Sequence, residues 1–275
     1  MHAGLLRDVL SVVAGVITGI MSAAFGVGGA TISTPAIRVL GASAFVAVGT
    51  TLPSILPSAA SGTLRYMREG LVDWEVVKWA APIGVATSIL GSLLSHVVPG
   101  NGHWLMILTA LLLGATAWRM RKPPPRPADD EPKAETDAEM AGASAEHAIF
   151  HRTAIAVGGV GAAAGLLSGL LGIGGGILMV PGFNQFVGLR LKQTIATSLV
   201  CVGLFAIPGT VTHAFLGDID WRFAILLAIG VIPGARIGAV LAIRADRLLL
   251  RRVVALFLGA IAVIYLVGEV NALVR

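Results

Sequence analysis

Gly19-Ile-Met-Ser22-Ala-Ala-Phe-Gly26-Val-Gly28-Gly29-Ala30-Thr31-Ile-Ser-Thr-Pro35 returns later in the chain as Gly165-Leu-Leu-Ser168-Gly-Leu-Leu-Gly172-Ile-Gly174-Gly175-Gly176-Ile-Leu-Met-Val-Pro181. At a displacement of 146, Gly19, Ser22, Gly26, Gly28, Gly29 and Pro35 each meet their own kind. After one inserted residue the displacement becomes 147. Thr50 then meets Thr197, Leu52 meets Leu199, and Gly62-Thr63 meets Gly209-Thr210. Gly70, Asp73, Trp74 and Gly91 meet Gly217, Asp220, Trp221 and Gly238. The chain is two homologous halves, each with one glycine knot set in apolar sequence.

Composition places those halves in a bilayer. Of 275 residues, 56% are hydrophobic and 13% charged, and the mean hydropathy is +0.85. A soluble domain carries about twice that share of charge. Apolar runs long enough to cross about 30 Å of hydrocarbon recur along the whole length. The basic balance, with a pI near 10.0, does not point to nucleic acid. The Lys and Arg residues sit in short loops, where they set orientation. The single Cys201 lies in an apolar run and reads as a packing residue. The first 24 residues look superficially like a signal peptide, but Gly19 and Ser22 have partners deep in the chain. The segment is expected to belong to the mature fold.

Residues 9–40 are apolar but broken at the first knot, and spans are expected over 44–64, 79–98 and 104–118. Residues 123–146 are rich in Pro, Ala, Asp and Glu, too poor in apolar side chains to order themselves. The division is a first transmembrane repeat over 1–121, a flexible cytoplasmic linker over 122–151 and a second repeat over 152–275. The second repeat carries a broken stretch over 153–187, then spans over 193–216, 221–243 and up to about 267.

Parity decides the topology. If each broken stretch crosses once, the halves are parallel, and the basic segments 119–122 and 244–252 face opposite sides. If each broken stretch enters, turns at its glycines and returns, each half crosses three times and the halves are inverted. Arg65, Arg68, Lys78, Arg119, Lys122, Arg190, Lys192, Arg244 and Arg252 then share one face. Arg38 is the misfit, with Arg7 and Arg275 near the termini. The positive-inside rule selects the second arrangement, with both chain ends outside. The expected fold is an all-α polytopic membrane protein of two inverted-topology repeats. Each repeat has a Gly-broken re-entrant helix hairpin plus three spanning helices. Transporters recurrently use such a plan, with the site where the repeats meet.

A chain that turns inside a bilayer must bury its unpaired N–H groups in protein or line a wet cavity with them. Glycine permits the turn and lets a ligand approach the main chain. The half-helix that follows presents free N–H groups and the positive end of its dipole to the membrane centre. Two such ends suit an anion. Gly28, Gly29 and Ala30 are expected to face Gly174, Gly175 and Gly176. Thr31 and its neighbours Ser33 and Thr34 add hydroxyls that Ile177, Met179 and Val180 cannot match. Thr50, Thr51, Thr197 and Ser198 occupy matching places on the next spans and are expected to contribute to the same substrate site. Gly19, Gly165, Gly91 and Gly238 read instead as sites of close helix packing. Arg236 is a charge within a span, which makes it a candidate ligand. The competing reading is snorkelling towards the Arg244 end. His96, His103 and His213 read as interfacial, and Trp74 and Trp221 as interface anchors.

No Asp or Glu falls in the interior of an expected span; Asp8, Asp218, Asp220, Asp246 and Glu269 all lie near span ends. No carboxylate proton relay, metal site, cofactor or catalytic residue is expected, and an enzyme is not the reading. Replacing Gly175 by Val is expected to abolish transport while leaving expression intact.

The doubled Gly-Ser-Gly-Gly-Gly-Pro pattern, each copy followed by Thr50-Thr51-Leu52 or Thr197-Ser198-Leu199, resembles the sulfite exporter TauE/SafE family. The resemblance covers residues 15–267 apart from the linker. It implies a bacterial-type inner (plasma) membrane permease that exports or exchanges sulfite, a sulfonate or another small sulfur-containing anion. Ala30 departs from the fuller glycine run at 174–176. The implied partners are a small anionic substrate and the lipid bilayer. A coupling ion (H+ or Na+) and a homo-oligomer are left open. An anion channel and a non-transporting scaffold or sensor are the alternatives.

Overall fold

A computed structural model describes residues 2–39, 44–95, 107, 110, 111, 114, 115, 117, 118, 142–172 and 174–274. Every regular element among them is helical. The first half contains α1 (His2–Phe25), α2 (Ala30–Val39), α3 (Ala44–Arg68) and α4 (Trp74–Ser95). The second contains α5 (Gly142–Leu171) and α6 (Gly176–Gly182), which runs on as a π-helical turn over Phe183–Val187. It continues with α7 (Leu191–Leu216), α8 (Trp221–Arg244) and α9 (Arg247–Val274). Helix α5 begins inside the segment expected to link the halves. The turn at 99–102, residues 119–141, His96, His103 and most of the expected span at 104–118 lie outside the described residues.

Five helices are long and apolar enough to cross a membrane: Arg7–Phe25, Trp74–Ser95, Ala154–Leu171, Leu191–Leu216 and Trp221–Arg244. Their outer faces carry exposed Leu90, Leu94, Ile225, Ile229 and Leu241. Such a surface suits hydrocarbon and not water. Trp74 and Trp221 stand exposed at the first positions of α4 and α8. Helix α3 is as long but more polar, because Thr50, Thr51, Ser54, Ser58 and Ser61 are all buried along it. Those hydroxyls face protein, which is where a membrane helix places polar groups.

The two halves embrace by exchanging partners. Helix α1 packs along α8, and its repeat counterpart α5 packs along α4. The exchange holds residue by residue. A Cβ on Gly15 would lie 2.6 Å from the Leu227 carbonyl oxygen, and one on Gly161 would lie 2.7 Å from that of Ala80. Gly19 approaches the backbone of Val231, and Gly165 that of Gly84. Gly91 sits on Leu166 and Gly238 on Ile20. Each of these contacts becomes its partner when the repeat displacement is applied. The glycines are here because backbone meets backbone and no side chain fits between.

Direction along the helices also follows from the contacts. Along α1 and α8 the paired numbers rise together, from Val12 with Gly230 to Ile20 with Gly238. Helices α3 and α7 are repeat counterparts, and theirs run oppositely. Leu52 meets Gly209, Ala59 meets Gly203 and Gly62 meets Leu199. The two are therefore antiparallel at the centre of the molecule.

Repeated polar residues hold the helix starts. Asp73 Oδ1 accepts from the N–H groups of Glu75 and Val76, both at 3.1 Å. Asp220 Oδ1 accepts from Arg222 (3.0 Å) and Phe223 (3.3 Å). These are N-caps, which satisfy orphan donors of the first turn. Each cap's own N–H then donates to a threonine of the other half: Asp73 to Thr197 Oγ1 at 3.0 Å, Asp220 to Thr50 Oγ1 at 2.9 Å.

Candidate functional site

At each knot the chain doubles back. After α1 ends at Phe25, Gly29 lies beside Thr18 and Ser22 of the same helix, and Ile37 packs with Ala14. After α5 ends, Gly175 lies against Ala164 and Gly182 against Val160. The reversal needs left-handed backbone, supplied by Gly28 (φ 90°) and Gly174 (φ 85°). In α2 the first intrahelical bonds run from Ile32 N (3.1 Å) and Ser33 N (3.2 Å) to Gly29 O. In α6 the equivalents run from Leu178 N (3.1 Å) and Met179 N (3.3 Å) to Gly175 O. The N–H groups just before these lie ahead of the first helical acceptor.

The knots touch. A Cβ on Gly174 would lie 3.8 Å from Gly28 Cα, 2.8 Å from Val202 Cγ1 and 3.5 Å from Ile55 Cδ1. Ile55 and Val202 are near the middles of α3 and α7, so the contact sits at the centre of the bundle. Gly176 rests on the Gly26 and Val27 carbonyls. Among the described residues the buried polar side chains are serines, threonines, His213 and Tyr66, whose hydroxyl donates to Ala23 O at 2.6 Å, with no buried Asp, Glu, Lys or Arg. Neutral donors surround the knots.

The hydroxyls singled out from sequence are engaged in holding this arrangement. Thr31 donates to Gly28 O (3.0 Å) and Thr51 to Val48 O (2.9 Å), while Thr34 and Thr51 share a bond of 3.3 Å. Ser198 Oγ lies 3.0 Å from both Gly26 O and Ile195 O, tying α7 to the first knot. Thr50 and Thr197 accept the loop N–H groups described above. Arg236 is exposed, on the opposite side of α8 from the buried Gly234 and Gly238 stripe.

His213, read as interfacial, lies in the last turn of α7 and is fully buried against protein, with Nδ1 2.9 Å from Asp218 Oδ2. The Asp218 backbone packs onto Gly49 of α3. One expectation changes: Gly175→Val is not a clean functional probe. Gly175 has φ 69°, and a Cβ there would overlap the Ala164 carbonyl oxygen, so the substitution strains the fold itself.

Sequence reasoning did not single out the spare hydroxyls. Thr18, Ser22, Ser58 and Ser168 are buried, and their side-chain oxygens have no hydrogen-bond partner. Ser22 and Ser168 belong to the doubled motif, which was a signal. Thr18 gave none, because its repeat counterpart is Ala164.

Comparison with known proteins places the chain among membrane transporters. The family model described as "Sulfite exporter TauE/SafE" matches residues 11–265. A "Probable membrane transporter protein" from Xylella fastidiosa (strain 9a5c) is 27% identical over 263 residues, 93% of each chain. "Probable membrane transporter protein YunE" from Bacillus subtilis (strain 168) is 30% identical over 246 residues, 84% of this chain and 87% of that one. "Probable membrane transporter protein MamO" from Paramagnetospirillum magneticum (strain ATCC 700264 / AMB-1) is 31% identical over 217 residues, 70% of this chain and 33% of that one. No solved structure matches the chain. With its doubled glycine knot and multi-pass apolar helices, the chain belongs to the sulfite exporter TauE/SafE family of membrane transporters.

Proposed function

We propose that the protein is a secondary transporter that exports or exchanges a small sulfur-containing oxyanion, sulfite or a sulfonate, across the plasma (inner) membrane. Two inverted halves, each with a re-entrant hairpin and three spanning helices, alternate access by rocking against one another. The antiparallel course of α3 and its counterpart α7 supports inversion, and the return of α2 along α1 supports re-entry. The observation that carries the reading is the meeting of both knots between the middles of α3 and α7. Broken backbone at that depth is tolerated only in protein or beside a cavity.

The N–H groups of Gly28, Gly29, Ala30, Gly174, Gly175 and Gly176 supply the donors in this reading. Thr31, Thr51 and Ser198 fix the knots around them, while Thr50 and Thr197 tie the starts of α8 and α4 to the opposite half. Arg236, exposed on α8, snorkels to the interface and does not bind substrate. The test is flux. Proteoliposomes holding the purified protein are expected to exchange labelled sulfite with saturation. Deleting residues 125–145 should leave that flux in place. Unsaturated current through single channels would replace alternating access with a pore, and loss of all activity on linker deletion would favour a scaffold.

A further inference from the structure

Hydroxyl groups inside membrane helices ordinarily bond back to a carbonyl one turn earlier. Several here do: Ser11 to Arg7 O at 2.8 Å, Ser54 to Thr51 O at 2.7 Å, Thr87 to Ile83 O at 3.1 Å and Ser95 to Ser92 O at 2.7 Å. Thr18 and Ser22 do not. Both are almost fully buried, at 0% and 2% exposure, and neither oxygen has a partner. A buried hydroxyl without a partner is costly and calls for a reason.

Their position supplies one. Both border Gly29, the residue that opens the ten-residue helix α2. A Cβ on Gly29 would lie 2.6 Å from Thr18 Cγ2 and 3.8 Å from Ser22 Oγ. The unspent Ser22 hydroxyl therefore stands beside a helix start whose first N–H groups have no helical acceptor, and Thr18, whose methyl faces Gly29, carries a second unspent hydroxyl one turn earlier on the same face of α1. In the second half the place of Thr18 is taken by Ala164, and Gly175 is packed against that residue's backbone. Gly176 is occupied by the first knot's own carbonyls.

We propose that Thr18 and Ser22 are oxyanion-binding residues, so that the first knot contacts the transported anion through two side-chain hydroxyls together with the α2 amides. This deepens, and rests on, the anion-transport reading. A pyramidal or tetrahedral oxyanion has three or more acceptor oxygens, and it meets donors here with no counter-charge. Binding is thus one-sided: the first half holds the ligand and the second packs the first knot in place.

Thermal-shift titration of the purified protein in detergent tests this with sulfite and methanesulfonate. Dimethyl sulfone serves as the neutral isostere and chloride as the monatomic control. A ligand that binds only the folded state raises the midpoint with concentration. Thr18→Val keeps the methyl contact and volume, and Thr18→Ser keeps the hydroxyl. The expected result is a response in wild type and Thr18→Ser, weakened at least about tenfold in Thr18→Val and Ser22→Ala. Ser11→Ala and Ser168→Ala should respond like wild type. Ligand-free midpoints of Thr18→Val and Ser22→Ala should equal or exceed wild type, since no internal bond is lost; should Ser22→Ala fail to fold, the Thr18 pair decides. Oxyanion stabilisation in wild type that Thr18→Val and Ser22→Ala retain in full would overturn this assignment and leave anion transport standing. An effect confined to Ser168→Ala would overturn it as well. If no oxyanion stabilises wild type, both the transport reading and this assignment fail.

Discussion

The same position in the two knots carries different residues, Ala30 in the first half and Gly176 in the second. Ala30 is fully buried, and its methyl packs in a cluster with Leu52, Ile55 and Met179. At Gly176 a methyl would collide with the carbonyl oxygen of Gly26 and lie 2.6 Å from the Val27 carbonyl carbon. The knots turn at matching left-handed glycines, Gly26 and Gly28 against Gly172 and Gly174, but Gly175 adds one that its counterpart Gly29 does not, and the two do not share a job. The second is seated on the first, which explains its extra glycine as space for backbone. Ser22 and Ser168 are shared, but the first keeps the other polar side chains: Thr18, Thr31, Ser33 and Thr34 stand where the second has Ala164, Ile177, Met179 and Val180. A duplicated scaffold can thus present two chemically distinct knots, and the proposed function uses the first as its binding face.

The difference between the knots can be broken most severely at Gly176. Gly176→Ala forces backbone against backbone and should destabilise the protein by about 3 kcal/mol or more, the upper end of overpacking. Loss of monodisperse protein in detergent would register it. The helix exchange is sharpened next by Gly19→Ala and Gly165→Ala, each expected to cost about 1–3 kcal/mol. Closely similar midpoint losses are expected, because each meets the counterpart of the other's neighbour; a large loss in one alone would break the exchange. Asp73→Ala and Asp220→Ala remove equivalent caps and should each cost about 1 kcal/mol. The converse of the first test, Ala30→Gly, should cost no more than about 1 kcal/mol, the helix propensity difference. Smallest of all, Arg236→Gln should change stability by less than about 0.5 kcal/mol. It should leave the sulfite response unaltered, and a lost response would return Arg236 to the site.

How far the site could be read from sequence varies residue by residue. The doubled motif marked Ser22 and Ser168 as special, yet nothing local says whether a hydroxyl is bonded or spare. Thr50 and Thr197 stood out as a matched pair. Their partners, Asp220 and Asp73, lie 170 and 124 residues away in the chain. Hydropathy places His213 near a helix end, where it lies, but not its burial against protein or its bond to Asp218, whose loop packs on Gly49 of α3.

Repetition and hydropathy are properties of the chain in one dimension, and they survive any reading of it. They determined that the protein is a helical multi-pass membrane protein, that it has two related halves, and that each half is interrupted at a glycine knot. Tertiary structure alone decided that α1 lies on α8 and α5 on α4, and that the knots meet between α3 and α7. It also decided which backbone fills the space at each packing glycine, and that Gly176 of the knot is itself one of them. The physical reason is that close packing and hydrogen bonding join atoms far apart in sequence. A glycine that lets the chain turn and one that lets another helix approach are the same letter until the neighbour is in place.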